Sequence, residues 1–233
     1  MKIAIMQPYF FPYIGYFQLM NAADEFVIYD NIQYTKKGWI NRNRILVNGQ
    51  DSYITLPLKS DSDFLNIVDR TLSDSWQSEK LKLLNRIKSS YLKAPYFENV
   101  FPLITSVILF EDHNLFRFIE NSLLVIKNYL DISTLLITSS KLDIDSSLKS
   151  ENKVISISQS RSASMYINLI GGVELYSQIN FRDAGIQLHF LKTDPIVYNQ
   201  FQNEFIPFLS IVDVLMFNSQ ETVKRYLGDY SLL

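Results

Sequence analysis

Residues 2–30 read KIAIMQPYFFPYIGYFQLMNAADEFVIYD, and the fold is decided there. Ile3 to Met6 is a short unbroken apolar run, the pattern of a strand buried on both faces. Pro8 and Pro12 bracket an aromatic turn, Tyr9-Phe10-Phe11. Ile14, Phe17 and Met20 then recur three apart, which puts one apolar face on a helix opening just after Pro12. Phe26 to Tyr29 is a second apolar run and stops at Asp30. Strand, turn, helix and strand in so short a space predict a βαβ unit and therefore a parallel sheet.

Downstream the pattern changes. Ile45-Leu46-Val47 and Tyr53-Ile54-Thr55-Leu56 flank Asn48-Gly49, a dipeptide suited to the two positive φ angles of a type I′ turn, so an antiparallel hairpin is expected near residues 44–57. Helical spacing follows at about 76–92, 97–110 and 113–130, and Leu135-Leu136-Ile137 reads as a strand. The Ser- and Asp-rich stretch 139–152 is a surface loop or weak linker. Beyond it the pattern predicts a helix at about 151–161, a strand at 165–167, a helix at about 173–183 ending at Gly185, and a strand at 186–190. Helices at about 204–216 and 220–227 close the chain. The expected fold is α/β: a Rossmann-like, mainly parallel sheet flanked by helices, forming a single domain over residues 1–233.

Composition narrows the chemistry. An apolar fraction of 47% and a charged fraction of 20% over 233 residues suit one globular core. A net charge of −2 gives no global field that would draw the chain onto nucleic acid. No apolar run is long enough to span a bilayer, and the N-terminus lacks a signal-peptide pattern, so a bacterial cytoplasmic protein without membrane insertion is expected. The absence of Cys rules out disulfides and thiol nucleophiles, and with only His113 and His189 no imidazole-rich metal site is expected.

One segment stands out electrostatically. Asn31 to Gln50 holds Lys36, Lys37, Arg42 and Arg44 and no Asp or Glu. Trp39 sits between the two cationic pairs, with Gln33, Asn41 and Asn43 as neutral hydrogen-bonding groups. Guanidinium forks match phosphate or carboxylate oxygens, and an indole can stack on a base or sugar. The plainer alternative is a solvated edge strand guarded by basic residues. In open parallel sheets ligands collect beyond the carboxyl ends of the strands, so Gln7, Tyr9 and Asp30 are expected to converge with this segment on one crevice. Asp30 could orient a substrate amine or act as a base. His113, just before a long helix, is the first candidate for a general base, and His189 reads as structural. Asp213 reads as a capping or ion-pairing residue. Gly171-Gly172 could present amides to an anion at the following helix N-terminus, although a simple turn is the better explanation.

Pro12-Tyr13-Ile14-Gly15-Tyr16 resembles the histidine-x-glycine-histidine turn with which nucleotidylyltransferases and adenylate-forming amide synthetases hold a triphosphate. Tyr13 and Tyr16 stand at the histidine positions, and tyrosine holds no positive charge near pH 7, so the likeness implies the fold rather than the adenylation. Gly15 leaves room there for a ligand or a strand.

The blocks Gln7 to Phe17, Phe26 to Asp30, Gln33 to Ile45 and Phe205 to Leu215 closely resemble the WbqC-like protein family. That resemblance implies a role in bacterial surface-polysaccharide (O-antigen) biosynthesis and a glycine transferase acting on amino sugars. The implied enzyme is an N-acyl or aminoacyl transferase whose acceptor is a nucleotide-linked amino sugar. The acyl donor is left open between an aminoacyl-tRNA, an acyl adenylate made with ATP and an acyl-CoA, and no resident cofactor is implied. The alternative is a non-catalytic nucleotide-sugar-binding or scaffolding protein of the same pathway. Oligomeric state is not legible in the sequence.

Overall fold

The computed structural model describes residues 1–202 and 204–233. β1 (Lys2–Met6), α1 (Ile14–Ala22) and β2 (Glu25–Ile28) form the expected βαβ unit, with Ile3 opposite Glu25 and Met6 opposite Ile28 in parallel register. β1 lies near the middle of a six-stranded sheet, which explains why Ile3, Ala4 and Ile5 are buried on both sides. The remaining strands are β5 (Leu135–Thr138), β6 (Met165–Leu169), β7 (Gln187–Thr193) and β8 (Tyr230–Leu232). They stand in the order β5-β2-β1-β6-β7-β8, parallel throughout except for the antiparallel β7–β8 pair. Strands from both sides of 139–152 thus share one sheet.

Alternation along the strands splits the core in two. Ile3, Ile5, Val27 and Tyr166 face α5 (Ser150–Ser160) and α6 (Gln178–Asp183). Ala4, Phe26, Ile28 and Ile167 face α1 and the helices behind it: α2 (Trp76–Tyr91), α3 (Phe97–Ile108), α4 (Leu115–Tyr129) and α7 (Ile211–Phe217). α1 is therefore sandwiched, and every residue from Ile14 to Met20 is buried rather than one face alone. Its buried Gln18 is satisfied: Nε2 donates to the carbonyls of Tyr226 and Asp229 at 2.7 and 3.0 Å, and Oε1 accepts from Thr193 at 2.7 Å.

The hairpin is separate from the main sheet. β3 (Arg42–Val47) and β4 (Gln50–Thr55) pair antiparallel around Asn48 and Gly49, whose φ angles of 50° and 77° are the two positive values the turn requires.

Three expectations change. The helix predicted at 173–183 is a 3₁₀ segment, Ile170–Leu175, followed by the short α6 capped by Ser177. The helix predicted from 204 begins only at Ile211, because Pro207 supplies no N–H and disfavours helical geometry before it, and Phe208 takes a φ of 58°. After α8 (Gln220–Tyr226) the chain does not end on a helix but adds β8, with Leu232 opposite Leu191.

Candidate functional site

From β1 the chain moves outward to β2 and β5, then returns to place β6 on the other side of β1. This reversal opens a crevice beyond the carboxyl ends of the central strands. Tyr29 N–H donates to Met6 O at 2.8 Å, so Gln7 and Asp30 leave the sheet side by side. Asp30 is fully buried. Its Oδ1 lies 2.8 Å from Ser139 Oγ and accepts from Ser140 N–H at 2.9 Å, both just past β5. Its Oδ2 is buried and has no hydrogen-bond partner among the described residues. An unsatisfied buried carboxylate oxygen is costly, and it is the first mark of a site here.

The second mark is a cation. Lys153, on the first turns of α5, is 8% exposed. Its Nζ lies 5.2 Å from the centre of the Tyr29 ring and makes no ion pair among the described residues. Burial lowers the Lys153 pKa, and the nearby Asp30 charge offsets part of that effect. Burial, reinforced by Tyr176, pushes the Tyr29 hydroxyl up to about 12, so it stays a donor at neutral pH. Tyr176 packs edge-on against the buried Tyr166, their ring centres 5.5 Å apart. Asn168, one residue before the end of β6, lies beside them, buried, with Oδ1 accepting from Leu169 N–H at 2.7 Å. Among the described residues the Asp30 carboxylate and the Lys153 ammonium act on each other without forming an ion pair. A small group that both donates and accepts could bridge such a pair.

Gln7, Tyr9 and Tyr16 adjoin this crevice. Tyr16 Oη donates to Gln7 O at 3.0 Å, and the Tyr9 and Tyr16 rings are 5.8 Å apart. Tyr16 is fully buried and Tyr9 largely so; burial raises both hydroxyl pKa values. Gly15 has a local reason. A Cβ there would sit 2.3 Å from Tyr13 Cζ, so the glycine accommodates the ring of Tyr13 rather than an incoming strand. Gly171 and Gly172 lie inside the 3₁₀ segment rather than at the start of α6. A Cβ on Gly172 would come within 2.7 Å of Asn168 Nδ2, so the pair's second member makes room for that amide.

The basic segment packs against the loop after β1 and is largely committed to neighbours. Asn43 Nδ2 donates to the carbonyls of Phe10 and Phe11, and Asn41 bridges the Tyr34 hydroxyl and Leu56 O. Gln33 Nε2 donates to Asp63 O at 2.9 Å. Lys36 pairs with Asp63 at 2.6 Å, and Arg44 pairs with Asp51 at 2.9 Å while lying over the ring of Trp39. Trp39 stacks on Tyr53 and is 40% exposed, and Lys37 is exposed. Arg42 donates only to the carbonyls of Gly38 and Lys37. His113 is exposed, with Nε2 3.2 Å from Gln77 Nε2, and is not among the residues gathered around Asp30.

A separate, mainly apolar cavity of about 350 Å³ lies where β7 ends, lined by Tyr13, Thr193, Tyr198, Phe205, Phe208 and Leu209 among others. Beneath it Asp213 is fully buried and accepts from Tyr91 Oη, Tyr198 Oη and Gln200 Nε2 at 2.8, 2.8 and 2.7 Å. Asp213 therefore neither caps a helix nor pairs with a cation: Ser210 is the cap. Lys153, Tyr29, Asn168 and Tyr176 are the crevice residues that periodicity did not mark. The ends of β2 and β6 could have signalled Tyr29 and Asn168; nothing local signals Lys153.

The fold defines an α/β protein of the open parallel-sheet class, with Asp30 just past the carboxyl end of β2 and Lys153 close to it. The WbqC-like protein family model matches residues 7–225, and the chain belongs to that family. It is 30% identical over 230 residues to the uncharacterized protein Rv1507c of Mycobacterium tuberculosis, covering 97% of each chain. Among the described residues no helix is long and apolar enough to cross a membrane.

Proposed function

We propose that the protein is an N-acyl or aminoacyl transferase whose acceptor is the amine of a nucleotide-linked amino sugar used in bacterial surface-polysaccharide synthesis. The observation that carries this reading is the unsatisfied Asp30 Oδ2 beside the unpaired Lys153. An amine entering between Asp30 and Lys153 donates to Asp30 Oδ2, which orients its lone pair. For attack on an acyl carbon the amine must be neutral at nitrogen and must lose a proton as the C–N bond forms and the bond to the leaving oxygen or sulfur breaks. Lys153, with its lowered pKa, offers a neutral amine to take that proton more readily than a solvated lysine does. The donor is an aminoacyl-tRNA, an acyl adenylate or an acyl-CoA, and the cytoplasm is where such donors and nucleotide sugars meet.

The test is incubation with a nucleotide-linked amino sugar, glycine and each donor class, read by mass spectrometry as the N-acylated product. Turnover lost in Asp30→Asn and Lys153→Met but kept in His113→Ala supports this assignment; loss in His113→Ala alone moves the base to that histidine. Saturable binding with no product from any donor sinks the transferase and leaves a binding or scaffolding protein of the same pathway.

A further inference from the structure

Buried charges are ordinarily paired, because an ion stripped of water needs a counter-charge in compensation. Arg70 departs from that rule. It is 4% exposed, and its Nη2 donates only to a carbonyl, that of Ser62, at 2.8 Å. Its Cζ lies 4.8 Å from the centre of the Tyr34 ring, and its Nε is buried without a partner. It makes no ion pair among the described residues. Arg42 acts on the same tyrosine from the start of β3. Its guanidinium is held by two carbonyls and by the Tyr53 ring, 4.9 Å away, and among the described residues it too makes no ion pair. Carbonyls orient a guanidinium without neutralising it, so both charges remain available. The neighbouring Lys36 and Arg44, by contrast, are neutralised by Asp63 and Asp51.

We propose that Arg42 and Arg70 form an oxyanion site for a phosphate group, seated against Tyr34 between the hairpin and the segment 62–70. Two uncompensated guanidiniums match a phosphate, which carries between one and two negative charges at neutral pH, better than a single carboxylate. Planar forks suit its oxygens. The Tyr34 hydroxyl donates to Asn41 Oδ1 at 2.8 Å, so Tyr34 positions the two cations rather than binding the anion. Identifying the anion as the diphosphate of a nucleotide sugar rests on the function proposed above; the oxyanion site does not. Asp30 and Tyr34 are the two ends of one short segment, at most about 14 Å apart along the chain. One nucleotide-linked amino sugar can therefore present its phosphates to the arginines and its amine to Asp30.

Thermal unfolding with inorganic pyrophosphate, against sodium chloride at matched ionic strength, tests the site without requiring turnover. Pyrophosphate should raise the Tm of the wild type well beyond the chloride control. Arg70→Met removes an unpaired buried charge, so it should unfold at or above the wild-type temperature without anion yet lose the pyrophosphate response. Arg42→Gln should weaken pyrophosphate binding about tenfold or more, and Lys153→Met should leave it intact. No pyrophosphate response in the wild type overturns the proposal, as does a full wild-type response in Arg70→Met. Should Arg70→Met fail to fold, a wild-type affinity in Arg42→Gln overturns it instead. A pyrophosphate response that survives alongside absent transferase turnover supports this site and sinks only the transferase.

Discussion

Lys153 costs the native state free energy at neutral pH. Because burial lowers its pKa, the folded protein holds that proton less tightly than the unfolded chain does. The penalty is in force below the folded-state pKa and disappears as pH rises through the window up to the unfolded value, about 10.4. Lys153→Met should therefore leave stability at pH 7 unchanged or slightly raised, and any advantage should shrink at pH 10. Urea denaturation at the two pH values measures the gap; a clear loss of stability at pH 7 would remove the argument that the ammonium is kept for function. Asp30 and Gln7 could be placed beyond the sheet from sequence because each follows an apolar strand run, where parallel sheets gather their ligands. Lys153 could not. In Ser150-Glu151-Asn152-Lys153-Val154 it reads as one solvated residue on a polar helix, and only the docking of α5 on β1 and β2 buries it. Arg70 was missed for the same reason: charge in sequence does not reveal whether a counter-charge lies within reach in space.

Between elements, the strongest polar tie is Asp213, which joins α7 to Tyr91 at the end of α2 and to the loop bearing Tyr198 and Gln200. Tyr91 Oη itself accepts from Leu46 N–H at 2.8 Å, so the chain of bonds runs on into the hairpin. Asp213→Ala would strip three donors of this acceptor and should cost roughly 2–4 kcal/mol, read as a lower urea midpoint. The pH dependence has the opposite sign to that of Lys153. Burial raises the Asp213 pKa, opposed by its hydrogen bonds, so its contribution is greatest below about 3.9 and falls as pH rises through the raised value. In the hairpin, Gly49→Ala should cost about 1 kcal/mol, because its φ of 77° suits only a residue without Cβ. A variant as stable as wild type would mean the turn relaxes to another type. Asn48-Gly49 made this hairpin readable from sequence, since a local dipeptide sets its geometry. The late start of α7 was readable too, from Pro207, which disfavours helix in the residues before it.

Across the whole chain, the pairing of β1 with β2 followed from the first thirty residues, whereas the return of β6 to the other edge of β1 did not. Local periodicity predicts strands; which side a crossover takes depends on which helix covers which face. The three-residue β8 escaped notice because so short a strand has no period to read, and its place is set by β7. The same arrangement bears on how the protein unfolds. β1 sits between β2, from before residues 139–152, and β6, from after them, so neither half retains a covered central strand without the other. One cooperative transition is therefore expected. Trp39 and Trp76 both precede β5, so their fluorescence reports the first half, while far-UV circular dichroism reports both. The two signals should share one urea midpoint. Ile167→Asp, in β6, places a carboxylate in the core against α1 and should lower the tryptophan midpoint together with the dichroism midpoint, by several kcal/mol of stability. A tryptophan transition left where it was, with only the dichroism shifted, would mean that the chain folds as two independent units.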